Sequence, residues 1–413
     1  MRIGIDCRML GPGFGLARYV EQLVKHLLEI DLKNEYVLFL KDDNFKNFSP
    51  LLGEGEGEVS DINNPHLTSP YKGEEKTIDD SFYFIKQGRV KLVLADIPWY
   101  SWAEQIKFKK IIDQEKVDLM HFPHWNVPLF YNKPFVVTIH DLIMYHFPRA
   151  EATTLGPLKF WLKDRAHRLL VKHAVKKAKH ILITSEFTKQ DIHQTLHVPM
   201  EKMIVTYQAP FEISNFQFSI SNQTQSPNDK VLEKFKVSKP FVLYVGSAYP
   251  HKNLERLLKA WQIFTDKHDN DYQLVLVGKE SYFYDRLKRE VEGTQSIIFT
   301  GFVPDDELVE LYKQASLYVF PSLYEGFGLP PLEAQKYNVP VVSSNASCLP
   351  EVLVDSALYF DPENPDQIAD IIWTGLTDNN LRFELQNNAQ ENLQRFSWQK
   401  LAEQTLEVYK KLL

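Results

Sequence analysis

The sequence predicts an α/β protein with parallel sheets, arranged in two similar halves. Three observations carry that expectation. Short β-branched and apolar runs alternate with longer amphipathic stretches, the rhythm of strand–helix–strand units. The length of 413 residues is more than one hydrophobic core usually holds, at about 150 residues per domain. A polar stretch poor in helix formers, residues 214–229, falls between the halves and reads as part of the domain connection.

The elements follow in order. In the first half, strands are expected at 2–6, 36–40, 90–94, 117–121, 135–139, 180–184 and 203–206, each a short apolar run. The stretches 16–30, 103–113, 158–178 and 188–196 between them read as helices. The second half keeps a more regular beat. Strands are expected at 241–245, 273–277, 296–300, 317–320, 339–342 and 358–360. Helices fit at 254–264, 282–292, 305–314, 331–337 and 366–375, followed by 381–395 and 398–412. Residues 53–80, rich in Gly, Glu, Asn and Ser, break the rhythm and read as a long surface loop. No internal repeat is visible; the halves share an architecture without a sequence period.

Composition narrows the function classes. Lysine and arginine total 47 against 54 acidic residues, a net charge of −7, which argues against a general nucleic-acid binder. Two cysteines, Cys7 and Cys348, exclude a disulfide framework and a cysteine-rich zinc site. No apolar run approaches the ~18 residues of a membrane span, and Asp6 interrupts the first apolar stretch where a signal peptide would need continuity. The expectation is a soluble, cytoplasmic protein. One segment runs against the acidic average: 159–179 carries Lys159, Lys163, Arg165, Arg168, Lys172, Lys176, Lys177 and Lys179 against Asp164, with Phe160 and Trp161 at its start. It reads either as a solvated helix or as a contact for an anionic membrane or a lipid-linked acceptor.

Two similar α/β halves place a ligand in the cleft between them, at the carboxyl ends of the strands. Several motifs fall at such ends. Gly11-Pro12-Gly13-Phe14-Gly15 follows the first strand and opens a helix, so its N–H groups can receive a phosphate or sugar oxygen. Its G-x-G-x-G spacing departs from the dinucleotide fingerprint, and a plain strand–helix turn stays open. His140-Asp141 ends the fifth strand; adjacent strand residues face opposite sides, so the two share a ligand only where the strand has already stopped. In Tyr244-Val245-Gly246-Ser247-Ala248-Tyr249-Pro250-His251-Lys252-Asn253, Asn253 is expected to cap the following helix. Lys252 just before a helix N-terminus opposes the macrodipole, which points to an anionic partner such as phosphate, against a solvated loop charge as the alternative. Asp269-Asn270-Asp271 has the short D-x-D form but precedes a strand, and reads as a polar turn.

The most informative stretch is Tyr324-Glu325-Gly326-Phe327-Gly328-Leu329-Pro330-Pro331-Leu332-Glu333. Gly326 and Gly328 let a ligand approach the backbone closely. Pro330 and Pro331 lack an N–H, so donors toward an oxyanion come from Gly328, Leu329 or Leu332. Taken singly, Glu325 reads as a loop charge and Glu333 as a first-turn partner of the helix dipole.

Taken together, these pieces resemble the retaining family 4 glycosyltransferases, which have the glycosyltransferase B fold of two Rossmann-like domains facing a cleft. The specific element is Glu325-x7-Glu333. Tyr244-Val245-Gly246 with His251-Lys252-Asn253, Leu276-Val277-Gly278, Phe299-Thr300-Gly301-Phe302-Val303 and Pro340-Val341-Val342 appear in the family's order. The first half fits more loosely, through Gly13-Phe14-Gly15-x2-Arg18-Tyr19, Thr138-Ile139-His140-Asp141-Leu142 and Thr184-Ser185-Glu186-Phe187-Thr188, and the chain closes on Phe396-Ser397-Trp398 plus a helix.

The resemblance implies an acceptor-side domain over 1–213, a linker over 214–235, a nucleotide-sugar domain over 236–395, and a last helix, 396–413, crossing back to the first. It implies that Glu333 binds the ribose hydroxyls, Glu325 a hydroxyl of the donor sugar, and Lys252 the leaving diphosphate. His140 would reach the donor sugar. Gly246, Ser247, Lys279, Phe302, Val303 and the Gly326, Phe327, Gly328 and Leu329 backbone would line the donor, and Gly13, Phe14 and Gly15 an acceptor or diphosphate loop. Ser247 stands where many relatives carry an arginine, His251-Lys252 replaces an Arg-Lys pair, and Tyr207-Gln208-Ala209 stands where many have Asn-Gly. No cofactor and no metal are expected. The expected partners are a nucleotide-sugar donor, GDP-mannose before UDP-glucose, and a glycan or lipid-linked acceptor, with peripheral contact at an anionic membrane and no nucleic acid. A non-catalytic nucleotide-sugar or glycan-binding subunit, or a nucleotide-sugar epimerase of the same fold, are the other readings.

Overall fold

The computed structural model describes residues 1–11, 15–42, 89–148, 156–210, 227–268 and 271–412. The expected loop at 53–80, Gly13 and Phe14 of the glycine turn, and Asp269 and Asn270 lie outside them, as does most of 214–229.

The first sheet takes β1 (Arg2–Asp6), β2 (Glu35–Leu40), β3 (Val90–Leu94), β4 (Leu119–Phe122), β5 (Phe135–Ile139), β6 (His180–Ile183) and β7 (Met203–Val205), in the order β3-β2-β1-β4-β5-β6-β7. The second takes β8 (Phe241–Val245), β9 (Gln273–Val277), β10 (Ile297–Gly301), β11 (Leu317–Phe320), β12 (Val341–Ser344) and β13 (Leu358–Phe360), in the order β10-β9-β8-β11-β12-β13. Within the second sheet every neighbouring pair is parallel. Parallel strands need crossovers, which helices supply, and three further helices follow the last strand. In chain order the helices are α1 (Gly15–Ile30), α2 (Lys109–Gln114), α3 (Ile143–His146), α4 (Pro157–Lys177), α5 (Glu186–Leu196), α6 (Pro227–Lys234), α7 (Leu254–Lys267), α8 (Tyr282–Glu290), α9 (Asp305–Gln314), α10 (Leu329–Lys336), α11 (Leu349–Leu353), α12 (Pro365–Thr377), α13 (Asn379–Leu393) and α14 (Trp398–Lys410).

Three local expectations change. The helix expected over 103–113 begins as a π-helical turn, Glu104–Phe108, before α2. A helix, α6, occupies part of the stretch read as a linker. The short helices α3 and α11 were not expected, because four or five residues give no readable period.

The chain divides into two compact units. The first unit holds Met1–Ile139, Leu169–Leu182 and Trp398–Leu413, and the second His140–Arg168 and Ile183–Ser397.

In the first unit a buried polar chain joins α14 to the sheet. Tyr409 Oη lies 2.6 Å from His121 Nδ1, His121 Nε2 lies 2.8 Å from Thr138 Oγ1, and Thr138 Oγ1 lies 3.1 Å from Tyr19 Oη. Buried polar groups that satisfy one another in this way fix one packing of the helix. At the carboxyl end of β1, Arg8 is fully buried, with its guanidinium donating to Asp6 at 2.8 Å through each of two nitrogens and to Glu104 at 2.8 Å. The ring of Phe108 lies 3.7 Å beneath it. This triad pins the π-helical turn to the strand.

Candidate active site

In a parallel sheet all carboxyl ends lie at one edge, and a ligand site is expected where the strand order reverses. In the second sheet the order runs β8, β9, β10 to one side and β11, β12, β13 to the other. The loops after β8 and β11 are therefore neighbours at the reversal. They carry Lys252 and Glu325.

Two hydrogen bonds tie the two loops together, and a third ties the β8 loop to the turn after β13. Leu323 N–H donates to His251 O at 2.7 Å. Asn253 Nδ2 donates to Pro321 O at 3.0 Å and to Pro362 O at 2.7 Å. Asn253 was expected to cap α7 with its side chain, and it does not; the side chain is committed to these carbonyls. Its backbone is left-handed, φ 61°, and closes the short 3-10 turn Pro250–Lys252. His251 is buried against the rings of Tyr249 and Phe147. The outcome is direct contact between the two charges: Lys252 Nζ donates to Glu325 Oε1 at 2.6 Å, with the side chains 16% and 8% exposed. So little water reaches the pair that each charge depends on the other.

A floor of buried tyrosines holds the β8 loop. Tyr244 Oη donates to Ser247 O at 2.8 Å, Tyr284 Oη to Gly246 O at 2.8 Å, and Tyr318 Oη to Val245 O at 3.3 Å. Burial raises the pKa of all three, so they stay protonated donors. With three successive carbonyls engaged, the N–H groups of Ser247 and Ala248 point the other way, because C=O and N–H are antiparallel across a trans peptide. Gly278 is required by the same packing, since a Cβ there would stand 2.1 Å from Gly246 O. Sequence reading missed this floor, which is built from one tyrosine in each of two neighbouring strands, Tyr244 of β8 and Tyr318 of β11, and Tyr284 of α8.

The β11 loop is fixed from another side. Gly326 O lies 2.8 Å from Ser185 Oγ, 3.0 Å from Thr184 Oγ1 and 3.2 Å from Thr188 Oγ1. Two of these hydroxyls can donate to its two lone pairs at once. A Cβ on Gly326 would meet His140 O at 2.1 Å. The close approach that the glycine permits is thus used by the chain's own backbone, where a ligand was expected. His140 follows the last residue of β5, so the strand has stopped and the opposite-face argument against sharing a ligand with Asp141 lapses. His140 Nδ1 lies 3.2 Å from Gln208 Nε2, and Asp141 Oδ1 accepts from Ile143 N–H at 2.8 Å, at the start of α3.

Glu333 is half-buried on α10 and accepts from Tyr312 Oη at 3.1 Å. Because α10 opens at Leu329, two residues before the sequence placed it, Glu333 lies beyond the first turn. The dipole explanation for its acidity falls away. Phe327 packs its ring on Tyr207 and Phe396, which leaves its backbone as the part available to a ligand. Leu329 is half-buried.

The other expected donor residues share the sheet edge but not the ion pair. Lys279 is exposed after β9, and Phe302 is 64% exposed after β10; Val303 is buried. No hydrogen bond or ion pair ties them to Lys252 or Glu325. Gly15 is the first residue of α1 and exposed. Among the described residues, no group of three or more His, Cys, Asp or Glu side chains is placed to hold a metal, and no helix is long and apolar enough to cross a membrane.

Known proteins share this architecture. Sucrose-phosphate synthase from Thermosynechococcus elongatus superposes with a TM-score of 0.67 at 18% identity, covering 100% of this chain and 98% of that one. The Anabaena protein HepE, solved in complex with UDP and glucose, gives 0.67 at 18% identity over 100% of both chains. Two parallel sheets wound in this way define the glycosyltransferase B fold. Residues 226–392 match the family described as glycosyl transferases group 1, and residues 15–209 that described as glycosyltransferase family 4. O-antigen chain mannosyltransferase B of Escherichia coli is 32% identical over 302 residues, 71% of this chain and 74% of its own. O-antigen chain mannosyltransferase RfbU of Salmonella typhimurium is 28% identical over 274 residues, 66% and 68% of the two chains. The chain belongs to glycosyltransferase family 4.

Proposed function

We infer that this glycosyltransferase moves a hexose, with retention, from a nucleotide-sugar donor to a glycan or lipid-linked acceptor on the cytoplasmic side of a membrane. GDP-mannose is the favoured donor and UDP-glucose the next. The names of the Escherichia coli and Salmonella relatives support mannose. The observation that carries the reading is the Lys252–Glu325 contact at the strand-order reversal, a cation and a carboxylate already placed where a charged sugar donor would part them.

Each residue then has a task its chemistry suits. Lys252 neutralises the charge that develops on the leaving diphosphate, the electrostatic contribution that usually dominates such catalysis. Where relatives carry an arginine, Ser247 and Ala248 offer N–H groups that the tyrosine floor turns outward, beside Gly246. Glu325 accepts from a hydroxyl of the donor sugar, which His140 meets from another side. Glu333, acceptor-only as a carboxylate, takes both vicinal ribose hydroxyls. The Phe327, Gly328 and Leu329 backbone runs along sugar and diphosphate, and Lys279, Phe302 and Val303 border the nucleotide. Gly13, Phe14 and Gly15 face acceptor or diphosphate. No metal is needed, because lysine and N–H groups supply the positive field.

Calorimetric titration with GDP and UDP, beside transfer assays from GDP-mannose and UDP-glucose with and without chelator, tests the reading. Glu333→Gln should weaken nucleotide binding by about 1–3 kcal/mol, the scale of a lost charged hydrogen bond. Glu325→Gln should bind nucleotide almost normally and fail in transfer. Normal nucleotide affinity in Glu333→Gln would sink the ribose assignment, and activity lost to chelator but restored by magnesium or manganese would overturn metal independence. Donor binding without transfer or hydrolysis would favour the non-catalytic subunit, which the replacement of arginine by Ser247 keeps open, and epimerised donor would favour the epimerase.

A further inference from the structure

Helix α4 has two unlike faces. At about 100° per residue, Leu158, Trp161, Leu162, Arg165 and Leu169 fall on one side of it. That side is open: Leu158 is 71% exposed, Trp161 51%, Leu162 54% and Leu169 66%. The opposite side carries Val171, Ala174 and Val175, all buried. Phe160, which the sequence grouped with Trp161, is half-buried and lies away from the open stripe. Lys159 borders the stripe and Lys172 falls beside it, both exposed, and the Arg165 guanidinium stands 5.3 Å from the Trp161 ring. The helix has one acidic residue, Asp164, and Arg168 engages it at 2.7 Å.

A solvated helix does not gather a tryptophan and leucines on its outer face, and a contiguous apolar patch on a surface marks an interaction site. The charge decides the partner. A strongly basic helix in a chain of net charge −7 concentrates positive potential beside the apolar stripe. Apolar stripe, flanking lysines and a tryptophan at the boundary are the make-up of a helix that lies in a membrane interface. We propose that this face of α4 rests on an anionic lipid bilayer, with Leu158, Trp161 and Leu162 in the headgroup–acyl boundary and Lys159, Arg165 and Lys172 at lipid phosphates. The inference does not depend on the sugar-transfer chemistry.

The test is sedimentation of the full chain with vesicles of phosphatidylcholine alone or mixed with phosphatidylglycerol, at low and high salt. Binding should require the anionic lipid and weaken with salt. Neutralising Lys159, Arg165 and Lys172 to glutamine should cost about fivefold in partition per charge. Trp161→Ser with Leu162→Ser should abolish partition, whereas Phe383→Ser, at an equally exposed apolar residue on α13, should leave it unchanged; thermal melting verifies that each variant is folded. Equal sedimentation with neutral and anionic vesicles would overturn the proposal. So would wild-type partition by the folded Trp161→Ser, Leu162→Ser variant. Concentration-dependent dimers that this variant abolishes, in place of vesicle binding, would assign the face to a second copy of the chain.

Discussion

Lys252 and Glu325 stand 2.6 Å apart with little access to water, so removing either one strands the other. Breaking a buried pair from one side typically costs about 3–5 kcal/mol, while replacing both partners with neutral groups is often neutral. The residual exposure of Lys252, 16%, places this pair below that range. Lys252→Met should therefore lower folding stability by about 1–3 kcal/mol, measured by urea denaturation, and lower turnover by a further barrier of about 2–4 kcal/mol if the ammonium meets a leaving diphosphate. Lys252→Met with Glu325→Gln should recover the stability and not the turnover. Recovery of both would mean that the pair serves the fold alone, and recovery of neither would mean that Lys252 packs through its methylenes more than through its charge.

At the scale of elements, α5 shows how a short segment is fixed from outside itself. Its N-cap, Ser185, accepts from Thr188 N–H at 3.1 Å. Its first two N–H groups, from Glu186 and Phe187, donate to the two oxygens of Glu351 at 2.7 and 2.8 Å, and Tyr207 Oη donates to the same carboxylate at 2.9 Å. A carboxylate at a helix N-terminus gains from the helix dipole as well as from the bonds. Glu351→Gln should cost about 1–3 kcal/mol, since an amide offers one acceptor where two were used. It should also bring the Tyr207 hydroxyl down from about 12, where burial first and the Glu351 charge second now hold it. A Tyr207 titration unmoved in the variant would contradict the contact. Nothing in the sequence around Ser185 announces Glu351, which is remote in the chain. By contrast, the strands β1, β3, β5, β8, β9, β11 and β13 were legible to the residue, because their signals are local. The start of α10 slipped across Pro330 and Pro331, and at Asn253 the helix start held while the side-chain cap did not form. The site was legible as a list of residues through Glu325-x7-Glu333; its tie between loops, its tyrosine floor and the hydroxyls around Gly326 depend on long-range packing that no spacing encodes.

The whole molecule carries a further property in its buried titratable groups. Burial holds the His167 imidazole below its ordinary value of 6.5, with Asp164 opposing and Arg168 reinforcing the shift. His173 is also lowered, by burial first and by the Lys177 charge second. Both sit on α4. A histidine whose folded pKa is depressed binds its proton more weakly than it does in the unfolded chain, so the unfolded state gains protons first as the pH falls. The stability these groups contribute is thus complete above 6.5 and is lost as the pH drops from there through their folded values. Asp31 adds a second, lower step: burial raises its pKa, but hydrogen bonds from Tyr36, Asn34 and the Lys33 and Asn34 N–H groups hold it below 3.8, so its contribution disappears below that pH. Glu104, raised from 4.5 by burial against the pull of Arg8, acts in the opposite sense above 4.5. Urea midpoints measured from pH 7.5 down to 5.5 should fall, and the slope should flatten in the His167→Gln, His173→Gln variant because the protons that drive it are gone. An unchanged slope in that variant would place the loss elsewhere and remove α4 as the acid-sensitive element.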